Sequence, residues 1–278
     1  MNLPRILIKK VALRLFWGDH PPKGGQAWTS ADVTNRQNSD NIPIFYRRPR
    51  PVNAIADQYR SLLPIVDYGF ARNTNSVVLG ASEFPRAMGT YPIVFTSREP
   101  FAAVAVLGLE DNDNLFIDAD GHWQEGHYVP AYVRRYPFVL HQRGEDNRLV
   151  LCVDDEAGLL SKGNERPLFQ DGQPTQVVLD ALAFCDDFNK QTIIAATFVA
   201  ELAKRGLLVP NQARVVLASG QQIILHDFQV IDEDKFNGLP DDVFLEWRHR
   251  SWLQLVYAHL LSMQHWKDLA NLQSKKQK

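Results

Sequence analysis

The rhythm of apolar and polar positions changes along this chain. From residue 76 to residue 153, apolar stretches are short and bounded by turn formers. The spacing predicts strands over 76–79, 93–96, 102–109, 115–118 and 148–153. The run from Ala102 to Leu107 is apolar without a break, which predicts burial on both faces and a central place in a sheet. Asp118-Ala-Asp-Gly121, between Ile117 and Trp123, predicts a hairpin loop: Gly121 supplies positive φ, and the aspartates bond the turn's own amides. Beyond residue 174 the period lengthens. Val177, Ala181, Phe184, Phe188, Gln191, Ala195, Phe198 and Leu202 recur at three-and-four spacing, the stripe of a helix or broken helical pair that Gly206 and Pro210 stop. Ser219-Gly220, between 215–217 and 222–225, predicts a second hairpin. A last helix is expected from Pro240–Asp242 through Trp247, Trp252, Val256, Leu260 and Met263 to about Leu272. Strands followed by helices predict an α+β fold, with a mixed or antiparallel sheet from the central segment packed against C-terminal helices.

The N-terminal part reads differently. Residues 18–53 are rich in Gly, Pro, Asn, Asp and Ser, so a loop or linker is expected, with order beginning near Gln58 and Arg47-Arg48-Pro49-Arg50 as a solvated basic loop. Residues 3–17 are apolar but interrupted by Arg5, Lys9, Lys10 and Arg14. On a helical wheel Ile6, Lys10, Leu13 and Trp17 share a face, which suits a frayed or packed terminal helix and not a secretory signal. The expected organisation is an extension over 1–54, a single α+β domain over 55–272 and a polar tail over 273–278.

Composition narrows the function classes. The 278 residues are 45% hydrophobic, enough for one large domain or two small ones. Thirty basic and thirty-two acidic residues give a net charge of −2, so there is no global positive field and no nucleic-acid role is expected. No apolar run approaches the roughly 20 residues that span a bilayer. Cys152 and Cys185 each sit in an apolar stretch with no second cysteine at ligand spacing, which predicts buried thiols in a reducing compartment and a cytoplasmic protein.

Candidate chemistry concentrates between Gly126 and Phe138. Pro130 suits the first turn of a short helix, and Pro137 forces Tyr136 out of it. Tyr132 is then neighbour to Arg135 and Tyr136, while Arg134 and Arg135 diverge by about 100°. The pattern predicts a ligand site of Arg134, Arg135, Tyr132, Tyr136, Tyr128 and His127, in which paired arginines hold an anion between aromatic walls. The competing reading has one arginine stacked on tyrosine and the other in solvent. Glu83 and Arg86 are a potential local pair, and Ser82 a potential helix cap. No catalytic residue, metal or cofactor is predicted. Nucleophile elbow, Walker and dinucleotide motifs are absent, and aligning Gly121 with the invariant glycine of a calcium loop puts Phe116 first and His127 last. His122 and His127 flank Glu125 without a third ligand nearby in sequence.

The blocks Phe70-Ala-Arg72, Glu83-Phe84, Tyr91-Pro-Ile-Val-Phe95, Leu107-Gly-Leu109, Asn114-Leu-Phe116, Gly121-x-Trp123 and Tyr128-Val-Pro-Ala-Tyr-Val-Arg-Arg-Tyr-Pro-Phe138 resemble the SapC family. So do Pro167-Leu-Phe169, Gly206-Leu-Leu208 and Tyr257-Ala-His-Leu260, and the likeness runs in order over about residues 55–265. It implies a bacterial protein associated with the surface layer, without an agreed activity or catalytic residues. The peptide-transporter permease of the same name would need spanning segments. Related proteins occur beside flavin-dependent tryptophan halogenases and TonB-dependent receptors. The resemblance therefore implies a binding or accessory protein for a peptide or protein partner. The alternative is an enzyme on a small molecule or peptide side chain, with the arginines holding an anion and His122, Glu125 or His127 moving protons.

Overall fold

The computed structural model describes residues 5–7, 42–143, 148–163 and 165–277. Most of the expected N-terminal helix and linker lies outside the described residues, but Arg5–Leu7 is a strand, paired parallel to residues 224–226. By contacts the chain divides into two compact units, each discontinuous: Met1–Ala12 with Asp67–Val133 and Lys190–Lys278, and Leu13–Val66 with Arg134–Asn189.

The larger unit is built on a six-stranded sheet. Its path runs Arg5–Leu7, Gln222–Ile231, Ile93–Thr96, Ala103–Val106, Ser76–Val78, with Leu208–Val216 on the Gln222–Ile231 strand. Ala103–Val106 is paired on both sides and buried at every position, as its unbroken apolar run predicts. The Leu208–Val216 and Gln222–Ile231 hairpin is longer than the sequence pattern indicated and carries an irregularity at Asn211/Ala213. The strand expected at 115–118 is only a bridge, Ile117 to Trp123, closing the Asp118–Gly121 turn.

Two helical expectations resolve differently. Gln176–Lys204 is one helix of 29 residues that crosses from the smaller unit into the larger. Gly206, at φ 68°, ends it: its own N–H bonds to Ala203 O and that of Leu207 to Leu202 O. The expected helix over 240–272 instead breaks into Asp241–His249, Leu253–Ser262 and Trp266–Lys276. The first break has the same bonding. Ser251 takes φ 58°, with Ser251 N–H to Arg248 O and Trp252 N–H to Trp247 O, while the two tryptophan rings meet at 5.8 Å. That apolar clasp is what permits a left-handed serine where the periodicity showed no breaker. Leu253–Ser262 packs on the strands Ile93–Thr96 and Gln222–Ile231.

The smaller unit has a three-stranded antiparallel sheet in the order Pro49–Pro51, Arg148–Asp154, Phe138–Arg143. Two-stranded pairs join Arg60–Leu62 to Leu160–Lys162 and Phe169–Gln170 to Gln173–Pro174. Phe138, Leu151, Val153, Leu168, Phe169, Val178 and Cys185 form its core, with the first turns of the long helix laid over the strands. The arginine-rich stretch is therefore an edge strand, the place where two prolines cost no ladder bonds. Arg50 grips the fully buried Asp57 with two bonds of 2.6 and 2.9 Å and also reaches Asp155 at 3.0 Å, while Arg48 meets Asp155 at 2.7 Å. Helices beside mostly antiparallel sheets make the fold α+β, as expected.

Candidate functional site

Pro130 accepts the Val133 N–H at 2.9 Å and starts a single turn, Ala131–Arg134. Pro137 ends the possibility of helix, and the chain passes into the Phe138–Arg143 strand. Ala131, Tyr132 and Val133 are buried in the larger unit, whereas Arg134 to Phe138 belong to the smaller one.

Arg134 is exposed and lies over the Phe184 ring at 5.1 Å. Arg135 is half-buried, 5.0 Å from the Phe188 ring and 5.8 Å from that of Tyr46. Stacking occupies the guanidinium face, while its donors lie in the plane and point past the ring edge. Both arginines therefore stack, Arg134 on Phe184 and Arg135 on Phe188 and Tyr46. Phe184 and Phe188 were visible in the sequence only as members of an apolar stripe, and nothing local tied them to residue 134.

These arginines line an open cleft of about 540 Å³ within the smaller unit. Arg166 and Asp180 add charge to it, and Leu63, Val177 and Phe184 add apolar surface. Cys185 is also in its lining. Burial pushes that thiol up to about 11, with Arg135 offsetting part of the effect, so it is a neutral packing group and not a nucleophile. Tyr136 belongs to the lining through the backbone it shares with Arg135, but its hydroxyl is turned to Asp154 at 3.2 Å. Burial and the Asp154 carboxylate both push that phenol up, which keeps it protonated and donating.

Asp154 holds the segment in place. Its fully buried carboxylate accepts the N–H groups of Arg47 at 2.9 Å, Arg48 at 2.8 Å and Glu156 at 3.2 Å, besides the Tyr136 hydroxyl. Its own N–H bonds to Pro137 O at 2.9 Å. One acidic side chain thus ties the edge strand and the end of the Arg134–Phe138 segment together.

The remaining candidates serve the larger unit. Tyr132 is 1% exposed. Tyr128 donates to Glu83 at 3.0 Å and accepts the Tyr91 hydroxyl at its carbonyl. Glu83, 4% exposed, also accepts Gly80 N–H at 2.8 Å and Ala131 N–H at 2.6 Å, so it caps and cross-links backbone instead of serving as a local partner for Arg86. His127 is exposed, with Nδ1 3.1 Å from Glu125 O and its ring against Phe116. His122 turns the other way, toward Asp118. The proposed acid–base set of His122, Glu125 and His127 is therefore not assembled. Asp118, Asp120 and His122 do bring ligand atoms within 4.8 Å of one another, a grouping hidden by reading His122 with His127, but all three are exposed and also serve the hairpin.

His259 is a buried histidine with a structural task. Nδ1 donates to Ile93 O at 2.7 Å, and Nε2 accepts the Ile231 N–H at 3.1 Å, which requires the neutral ring. Burial lowers its pKa to about 4. Below the unfolded value of 6.5 the unfolded chain binds a proton that the native ring refuses, so stability is intact above pH 6.5 and falls as the pH drops toward 4. The loss amounts to about 3 kcal/mol over that window. The His259 ring resonance, assigned by its absence in His259→Gln, is expected not to titrate between pH 5.5 and 8; a midpoint near 6.5 would contradict this.

Among the described residues no helix is long and apolar enough to cross a membrane. The SapC family model matches residues 58–269, and the chain belongs to the SapC family. No curated protein and no solved structure matches it.

Proposed function

We propose that this SapC-family protein is a non-catalytic binding or accessory protein of bacterial surface-layer or envelope biology, and that it takes a peptide or protein partner in the Arg134–Arg135 cleft. One observation carries the reading: the two arginines line a concave surface, stacked on aromatic rings beside apolar side chains, instead of closing a core. Arginine and aromatic groups in a recess are the groups that dominate partner recognition when truncated. The surface-layer setting is what the resemblance to the family implies, and membership of that family supports the reading. Two buried free thiols favour a reducing compartment, and the cytoplasm is the proposed location. Partner capture from a lysate of the source cell, on immobilised full-length chain, tests the proposal. Capture has to respond to changes confined to the cleft lining and to ignore changes elsewhere on the surface.

A further inference from the structure

Building on that partner-binding role, we infer that the cleft is selective for an acidic peptide segment in which carboxylate side chains sit beside bulky apolar ones. The lining itself holds three arginines, Arg134, Arg135 and Arg166, and one acid, Asp180. The Asp180 carboxylate accepts the Gln176 side-chain amide at 2.7 Å, which occupies one of its oxygens without removing its charge. Arg166 is exposed and forms no ion pair among the described residues. Gln176 and Val177, the first residues of the 29-residue helix, also belong to the lining, so the positive end of the helix dipole adds to the same field.

The apolar side of the recess fixes the rest of the ligand. Leu63 is 39% exposed, and Val177 and Phe184 are half-buried, which leaves apolar surface that a purely ionic ligand would not cover. Compact small molecules bind where the pocket encloses most of their surface. This cleft is open to solvent and not enclosed, which suits a segment of a longer chain better than a compact molecule. The exposed guanidinium forks of Arg134 and Arg166 match a carboxylate with two parallel bonds, and the same cluster repels a basic segment, so selectivity has an attractive and a repulsive part.

Fluorescein-labelled hexapeptides of alternating Glu–Leu, Gln–Leu and Lys–Leu, titrated by anisotropy against the full chain, test the inference. Glu–Leu is expected to bind about tenfold tighter than Gln–Leu, the value of one charge-assisted bond. The gap should narrow with added salt, Lys–Leu should fail to bind, and Arg166→Glu should erase the preference while keeping the fold. Equal binding of Glu–Leu and Gln–Leu, or a Glu–Leu preference that survives Arg166→Glu, overturns the inference. So does failure of all three peptides to bind. None of these results touches the partner-binding role, which is judged separately by whether partner capture depends on Arg134 and Arg135.

Discussion

Replacing Arg134 and Arg135 together by alanine is expected to reduce partner capture about a hundredfold and to leave the urea midpoint nearly where it was. The first half follows from position: two guanidinium groups in one recess, each held on a ring, are the kind of contact whose truncation costs about 1.4 kcal/mol apiece in binding, tenfold each, and two such losses multiply. The second half follows from exposure. Arg134 lies at the surface on Phe184, and a cation–π contact of that kind contributes only about 0.5–1 kcal/mol to folding. Arg135 is half-buried, so its own change costs somewhat more. Arg134→Ala alone keeps the test clean if the double variant is weakened. Pull-down titration beside urea unfolding reads both quantities. Unaltered capture by a folded double variant contradicts the role given to the arginines.

Asp154→Ala should lower stability as well as capture. Removing the carboxylate orphans three backbone donors and the Tyr136 hydroxyl around a site that is fully buried. Some of these donors regain water, but two left unsatisfied already cost about 3 kcal/mol, a large share of a domain's stability. Because the Asp154 carboxylate also holds the Tyr136 hydroxyl next to the arginine pair, capture should fall along with stability. Asp154→Asn is expected to recover only part of the loss, since its amide group directs a donor at donors. Urea unfolding followed by tryptophan fluorescence measures both variants. A midpoint shift worth less than about 1 kcal/mol would mean that Asp154 does not hold the segment.

The α+β class, the central Ala103–Val106 strand and the long helix were legible because each is a local pattern: an unbroken apolar run, a three-and-four stripe, a glycine stop. The break at Ser251 was not, since the periodicity of Trp247, Trp252 and Val256 continues straight through it, and the ring contact at 5.8 Å that accompanies the turn's backbone bonds is not visible in that spacing. The family-like blocks carry more packing than chemistry. A Cβ on Gly108 would sit 1.9 Å from Asp113 O, and Asn114 spends its side chain on Ala71 O and Phe116 N–H. Within the candidate site, Arg134 and Arg135 were found from sequence because two adjacent arginines between aromatics are conspicuous. Phe184, Arg166, Asp180 and Asp154 were not, for they lie about 20 to 50 residues away and meet the pair only through the fold of the smaller unit. Tyr132, which helix spacing placed beside Arg135, is 1% exposed, a burial that the spacing did not show.

The claim that the recess itself is the binding surface is tested most directly by filling it. Ala181 lines the cleft, whereas Ala183 is exposed on the same helix and does not. Ala181 is partly buried against the core at the cleft wall, so tryptophan at 181 adds its bulk there; tryptophan at 183 adds the same bulk to the exposed surface beside it. Capture of partner by the full chain is predicted to be lost in Ala181→Trp and retained in Ala183→Trp, with both proteins folded by urea midpoint. Equal capture by the two variants would contradict the assignment of the cleft.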